Sequence, residues 1–154
     1  MNLTIQRFVS LAGFFAIHYP KAWKQEMDEA GHYIFYDAIA GGGVLRIITS
    51  PNTAAIESEK LFMEKLTSVH KAFGGREESL GPHTFVSYTQ VHEIEGKEFS
   101  IYYWVTLHNK QTLIFSYTVL TNMKDMPAAT LEKQVIREML ESLEFPDEQS
   151  LPTH

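Results

Sequence analysis

The sequence predicts an α+β fold: a central antiparallel β-sheet of about six or seven strands, flanked by two long helices. Three observations predict it. Apolar and aromatic residues alternate with a period of two over most of the chain. Short polar connections join the last three of these runs. Two further segments switch to the helical period. The chain has 154 residues, near the common size of one domain. Aromatic residues make up 12%, and large rings suit a sheet packed under helices.

The first strand signal is Phe15, Ile17 and Tyr19, which point one way. Upstream, the uncharged stretch from Phe8 to Ile17 superficially resembles a signal-peptide core. It is far shorter than the roughly 20 residues of a membrane span. It runs into Tyr19-Pro20 with no convincing small-residue cleavage site, so it reads as two strand segments broken at Gly13. That reading makes the protein cytoplasmic; export is the alternative if the stretch acts as a signal.

Next, Ile34-Phe35-Tyr36 and Val44 to Ile48 flank Gly41-Gly42-Gly43. The three glycines read as a plain turn, because no Gly-Lys-Ser/Thr ending and no helix follow them. Phe85 to Val91, Phe99 to Val105 and Leu113 to Val119 come next. They are joined through Glu93 to Gly96 and His108 to Lys110. Strands joined so closely are antiparallel. The last two are apolar on both faces, which predicts cover on both sides of the sheet.

The first helix is expected from Ser58 to Phe73, with Phe62, Leu66, Val69 and Phe73 on one stripe and Gly74-Gly75 as the C-cap. The second is expected from Pro127 to Leu143. Leu131, Val135, Met139, Leu140 and Leu143 line its core face, Asp125 is the N-cap, and Pro127 sits in the first turn. Pro146 stops it. The expected organisation is one domain over residues 1–146 and a flexible polar tail over 147–154.

Composition narrows the function. The formal net charge is −6 and the basic residues are scattered singly, which argues against a nucleic-acid partner. No cysteine is present, so thiolate metal sites, disulfides and cysteine nucleophiles are excluded. The seven histidines show no His-Glu-x-x-His spacing, and no Gly-x-Ser-x-Gly elbow occurs. His92-Glu93 with Glu95 reads as a solvated turn, since a metal site needs converging ligands. No catalytic residue, metal ligand or cofactor is assigned.

The binding candidates are aromatic and charged positions on the strands. If one sheet face is left partly uncovered, Tyr36, Tyr88, Tyr102 and Trp104 with Gln90 form a groove of the kind enriched at interfaces. Arg46 is a charge inside an apolar strand. It is expected to pair with Asp37 on the neighbouring strand or to face a ligand.

Gly13-Phe-Phe-Ala-Ile-His-Tyr-Pro20 followed by Trp23 resembles the opening of PsbP-like domains. Phe35-Tyr36-Asp37, then Leu45-Arg46-Ile47 and a helix, is similar to the next part of that pattern. Val135 to Phe145 resembles its closing helix and trailing serine-aromatic stretch. In physical terms Pro20 ends a strand and Trp23 folds back over the sheet edge. The resemblance implies the α/β/α sandwich shared by PsbP of photosystem II and the Ran-binding Mog-type transport factor. The fold also occurs in bacterial domains of unknown function and in chaperones of type VI secretion effectors. This chain is most similar to the uncharacterised bacterial branch. The resemblance implies a non-enzymatic protein-binding or adaptor domain with a protein partner, as a monomer or homodimer. The alternatives are a chaperone for secretion-system effectors, a small-ligand binding domain with its cavity between sheet and helix, and a hydrolase using histidine and carboxylate.

Overall fold

A computed structural model of the protein describes residues 4–39, 41–51 and 58–146. The tail expected over 147–154 lies outside these residues. The N-terminal apolar stretch forms a separate hairpin of β1 (Ile5–Val9) and β2 (Ala16–Pro20). The chain reverses between them through a 3-10 turn at Leu11–Gly13, where Ala12 and Gly13 both take positive φ.

Seven strands make the main sheet. They are β3 (Lys24–Met27), β4 (Tyr33–Tyr36), β5 (Gly43–Pro51), β6 (Arg76–Leu80), β7 (His83–Ile94), β8 (Lys97–His108) and β9 (Gln111–Leu120). Their order is β3-β4-β5-β9-β8-β7-β6, and each neighbouring pair is antiparallel. Two meanders thus meet at the β5–β9 seam. The crossing between them carries α1 (Glu59–Val69), and α2 (Pro127–Glu141) follows β9. The β7–β8 and β8–β9 turns hold Glu95-Gly96 and Asn109-Lys110, all four at positive φ. That is the type I′ geometry whose twist matches the flanking strands.

Directly opposed residues of paired strands share a face, so the register sorts the sheet into two sides. The first face carries Phe35, Leu45, Ile47, Phe115, Tyr117, Tyr102, Trp104 and Phe85. Over it lie Phe15, Ile17 and Tyr19 of the hairpin, with Val135, Ile136, Met139 and Leu140 of α2 and the following Leu143 and Phe145. Trp23 is buried in the same cluster. The second face carries Ile34, Tyr36, Val44, Arg46, Ile48, Ile114, Ile101, Tyr103, Tyr88 and Gln90. There α1 packs along β6, β7 and β8.

Two helix expectations are corrected. In α1 the buried residue is Met63, while Val69 is 72% exposed. Phe73 leaves the helix in a 3-10 turn, Lys71–Phe73, that ends at left-handed Gly74. In α2 the buried stripe is Ala129, Glu132, Val135, Ile136, Met139 and Leu140, and Leu131 is 62% exposed. Leu131 precedes Glu132 by one position, about 100° around the helix, so it turns away. Met126, not Asp125, occupies the N-cap position, with no side-chain cap bond. The cover expected on both sides is present on the first face and, on the second, over β6, β7 and β8. Ile34, Val44, Ile48 and Ile114 are only half-buried on the second face, away from the main contacts of α1 with β6, β7 and β8.

Candidate functional site

The structure divides the aromatic residues that the sequence grouped. Side chains on a strand alternate between faces. Tyr36, Arg46, Tyr88 and Gln90 lie on the second face, whereas Tyr102 and Trp104 lie on the first. Trp104 is 5% exposed and belongs to the core. Tyr102 sits under Lys133, whose Nζ is 4.6 Å from the ring centroid.

Arg46 meets a carboxylate from a different place than expected. The register sets it opposite Ile34, so Asp37 lies three residues farther along, about 10 Å. The partner is Asp28, from the β3–β4 turn: Arg46 Nε donates to Asp28 Oδ2 at 3.3 Å. Asp28 Oδ1 accepts from the amides of Ala30 and His32, each at 2.9 Å. The His32 amide bond first, then the His32 ring, the Ala30 amide and Arg46, hold the Asp28 carboxyl below its usual range against the opposing pull of desolvation. Asp37 accepts from the Ile39 amide at 3.0 Å. Tyr36 Oη donates to Glu26 Oε2 at 2.5 Å, and that bond is the main reason its hydroxyl titrates above the ordinary range.

Tyr88 is wedged at the other end of the second face. Its ring stacks on His70 at 3.7 Å and on Tyr103 at 4.7 Å. Burial first, then Tyr103, pushes its hydroxyl upward. Gln90 Oε1 meets His92 Nε2 at 3.2 Å. The candidates therefore form two places on one face, around Arg46 and around Tyr88, and a third on the opposite face around Tyr102.

Of two concavities in the described residues, the smaller adjoins the Tyr88 and Tyr102 places and the larger lies apart from them. One, of about 390 Å³, lies between α2 and the first face of β6–β8, with Tyr102, Trp104, Glu78, Arg76, Lys133 and Arg137 in its lining. Arg137 donates to Glu78 Oε1, and Lys133 Nζ donates to the Lys124 carbonyl at 2.9 Å. The other, of about 880 Å³, includes His18, His83 and His108 beside Glu59, Glu141 and Glu144. Two of these rings make contacts with the segment that follows α2. His83 Nε2 lies 2.6 Å from the Leu143 carbonyl, and His108 stacks on Phe145 at 3.8 Å. Both rings hold the segment that follows α2. Among the described residues no group of three His, Asp or Glu converges on a metal position.

Sequence reading missed Glu132. It is 4% exposed on the buried stripe of α2. Oε1 accepts from Tyr117 Oη at 2.6 Å and from the Gly43 amide at 3.0 Å; Oε2 accepts from the Gly42 amide at 2.9 Å. The glycine turn thus does cradle an anion, but the anion is the protein's own. Burial first, then Glu132, drives the Tyr117 hydroxyl far above its usual 10.0. The available signal was a lone acid between apolar residues at helical spacing. Glu78 with Arg76, Lys133 and Arg137 was missed too; Lys133 and Arg137, four apart on one helix, were its trace.

A family model described as a domain of unknown function, DUF3805, matches residues 3–148. The chain belongs to this family. No curated protein matches it significantly. Among solved structures, a Bacteroides thetaiotaomicron protein is similar over 91% of this chain, with a TM-score of 0.71 and 19% identity. The DUF3805 chain spans 48% of that protein's length. LpqN of Mycobacterium tuberculosis, described as involved in cell envelope biogenesis, is similar over 93% of this chain and 84% of its own, with a TM-score of 0.55 and 11% identity. The Mog1 protein is similar over 93% of this chain and 96% of its own, with a TM-score of 0.53 and 10% identity. At these identities the likeness is one of fold, and the Mog1-type fold is among those that the opening and closing motifs implied. No helix among the described residues is long and apolar enough to cross a membrane.

Proposed function

We propose that this DUF3805 domain is a non-enzymatic protein-binding module that receives an amphipathic helix of its partner on the second sheet face. The observation that carries this reading is the floor of Ile34, Val44, Ile48 and Ile114, only half-buried beside the ground that α1 covers. Strands lie about 4.8 Å apart and a helix is about 10 Å across, so β4, β5 and β9 offer the width of one helix. A guest there would lie beside α1 and complete the second layer of an α/β/α sandwich. The Arg46–Asp28 pair stands within the floor and supplies a polar fixed point. The net charge of −6 favours a guest whose apolar stripe is flanked by basic residues.

The test is site-specific photocrosslinking in cells from position 48, with position 131 on the exposed side of α2 as control. Cross-linked peptides from position 48 are expected to come from one amphipathic helix. A synthetic copy of that helix should bind the purified protein, and Ile48→Asp should weaken binding by about thirtyfold or more, the effect of burying a charge. Equal yields at both positions, or binding indifferent to Ile48→Asp, would refute the proposal.

A further inference from the structure

The depression between α2 and the first face of β6–β8 holds polar groups that the protein leaves unused. Glu78 presents a side chain that is nine-tenths buried. Its Oε1 is taken by Arg137, while Oε2 has no hydrogen-bond partner among the described residues. Arg76 Nη2 stands 3.8 Å from Oε2, beyond hydrogen-bond reach. The Arg76 side chain is 70% exposed, so its fork of donors is open to a guest. A buried acceptor without a donor thus lies next to a cation with donors to spare. Buried carboxylate oxygens are normally satisfied, so Oε2 is suited to accept from a donor. Arg76 and Arg137 flank this one carboxylate and Lys133 lines the same depression of about 390 Å³, so the surroundings also favour a negative group. The rest of the lining includes Tyr102 and Trp104, which offer aromatic surface.

One kind of molecule satisfies all three demands at once. We infer that this depression binds a small zwitterion of the α-amino-acid class with an apolar side chain, its ammonium on Glu78 Oε2 and its carboxylate on Arg76. An α-amino acid carries both charges on one carbon, which suits neighbouring protein partners. Arg76 binds a carboxylate through parallel N–H donors, and the guest side chain lies toward the Tyr102 ring. The volume falls in the range of small-molecule sites. This site is on the sheet face opposite the proposed helix-docking floor, so either can fail without the other.

The experiment is an amide-resolved NMR titration of the full chain with L-leucine and L-phenylalanine, each compared with its N-acetyl and its carboxamide derivative. Saturable shifts are expected at Ser87, Thr89 and Gly74, with dissociation constants below about 1 mM. Removing either charge of the guest should weaken binding by about tenfold or more. Glu78→Gln should abolish the difference between the free and N-acetylated guest, and Arg76→Ala the difference between the free and amidated guest. Arg76→Ala is an exposed change that spares the fold, which keeps the test decisive if Glu78→Gln disturbs Arg137. A carboxylate satisfied by solvent water predicts no saturable shift with any probe, and that result overturns the assignment. So do equal affinities for free and capped forms, and peptides that bind as tightly as the free amino acid assign the site to peptide residues instead.

Discussion

At Glu132 the fold joins three distant parts of the chain through one carboxylate. Tyr117 comes from the centre of the sheet, Gly42 and Gly43 from the end of the β4–β5 connection and the first residue of β5, and Glu132 from α2. Each carboxylate oxygen finds donors, so the buried charge is balanced without a counter-cation. Glutamine has one acceptor oxygen where glutamate has two, and its NH₂ would face an amide N–H. Glu132→Gln is therefore expected to lower unfolding free energy by about 1–3 kcal/mol in urea titration; an unchanged midpoint would refute the role. Gly43 cannot be replaced at this join, since a Cβ would lie 2.5 Å from the Thr118 carbonyl and 2.7 Å from the Tyr117 ring. Tyr117 adds a pH signature. In the unfolded chain its hydroxyl ionises near 10.0, and in the folded protein far above that. Its contribution is complete below pH 10 and is lost as pH rises beyond it, because the unfolded chain then releases a proton that the native state keeps. Tyr36, Tyr88 and Tyr103 are raised as well, so the measurement is a difference. Tyr117→Phe should flatten the alkaline fall by about 1.4 kcal/mol per pH unit. Parallel curves for the two proteins would sink the assignment.

At the scale of elements, the helices test how far periodicity reaches. Both were legible, yet the stripe of α2 was misjudged by one position. Leu131 looked like core and faces water; Glu132, which the pattern left unassigned, is buried. Hydropathy alone could not see that a glutamate had three donors waiting on two other parts of the chain. The expected outcome is sharp. Leu131→Gln should change stability by less than about 0.5 kcal/mol, while Leu140→Ala should cost about 2–5 kcal/mol. Comparable losses in chemical denaturation would place the stripe where the sequence first put it. The strands were legible where they were apolar. The sheet edges were not: β3 reads Lys-Gln-Glu-Met and β6 reads Arg-Glu-Glu-Ser-Leu. Edge strands pair on one side only and carry charge that blocks further pairing, so they lack the alternation that gives inner strands away. The candidate site was less legible than the fold. Tyr36, Tyr88, Tyr102 and Trp104 were grouped by residue type, but which face each occupies depends on strand register, and register is fixed by partners far along the chain. Glu78 and Arg76 sit on the very edge strand that the pattern hid.

At the scale of the molecule, the two faces of one sheet are treated differently. The first face is closed by the β1–β2 hairpin, α2 and Phe145, which together bury Phe35, Ile47, Phe115 and Tyr117. The second is closed by α1 along β6, β7 and β8. Ile47 and Ile48 are neighbours in β5 with the same side chain and opposite fates: Ile47 is 0% exposed and Ile48 is only half-buried. Burial, not identity, sets what each contributes. A truncated core isoleucine loses its transfer free energy and leaves a cavity, about 2–5 kcal/mol for Ile47→Ala. A half-buried one loses less transfer free energy, and Ile48→Ala should cost under about 1.5 kcal/mol. The pair Ile48→Thr with Ile114→Thr, set across the β5–β9 seam, should likewise leave the fold intact by circular dichroism and thermal melting. It should at the same time lower the binding of an apolar-surface dye to the native protein. If that double substitution unfolds the domain as Ile47→Ala does, the second face is core and not an open floor, and the proposed helix has nowhere to dock.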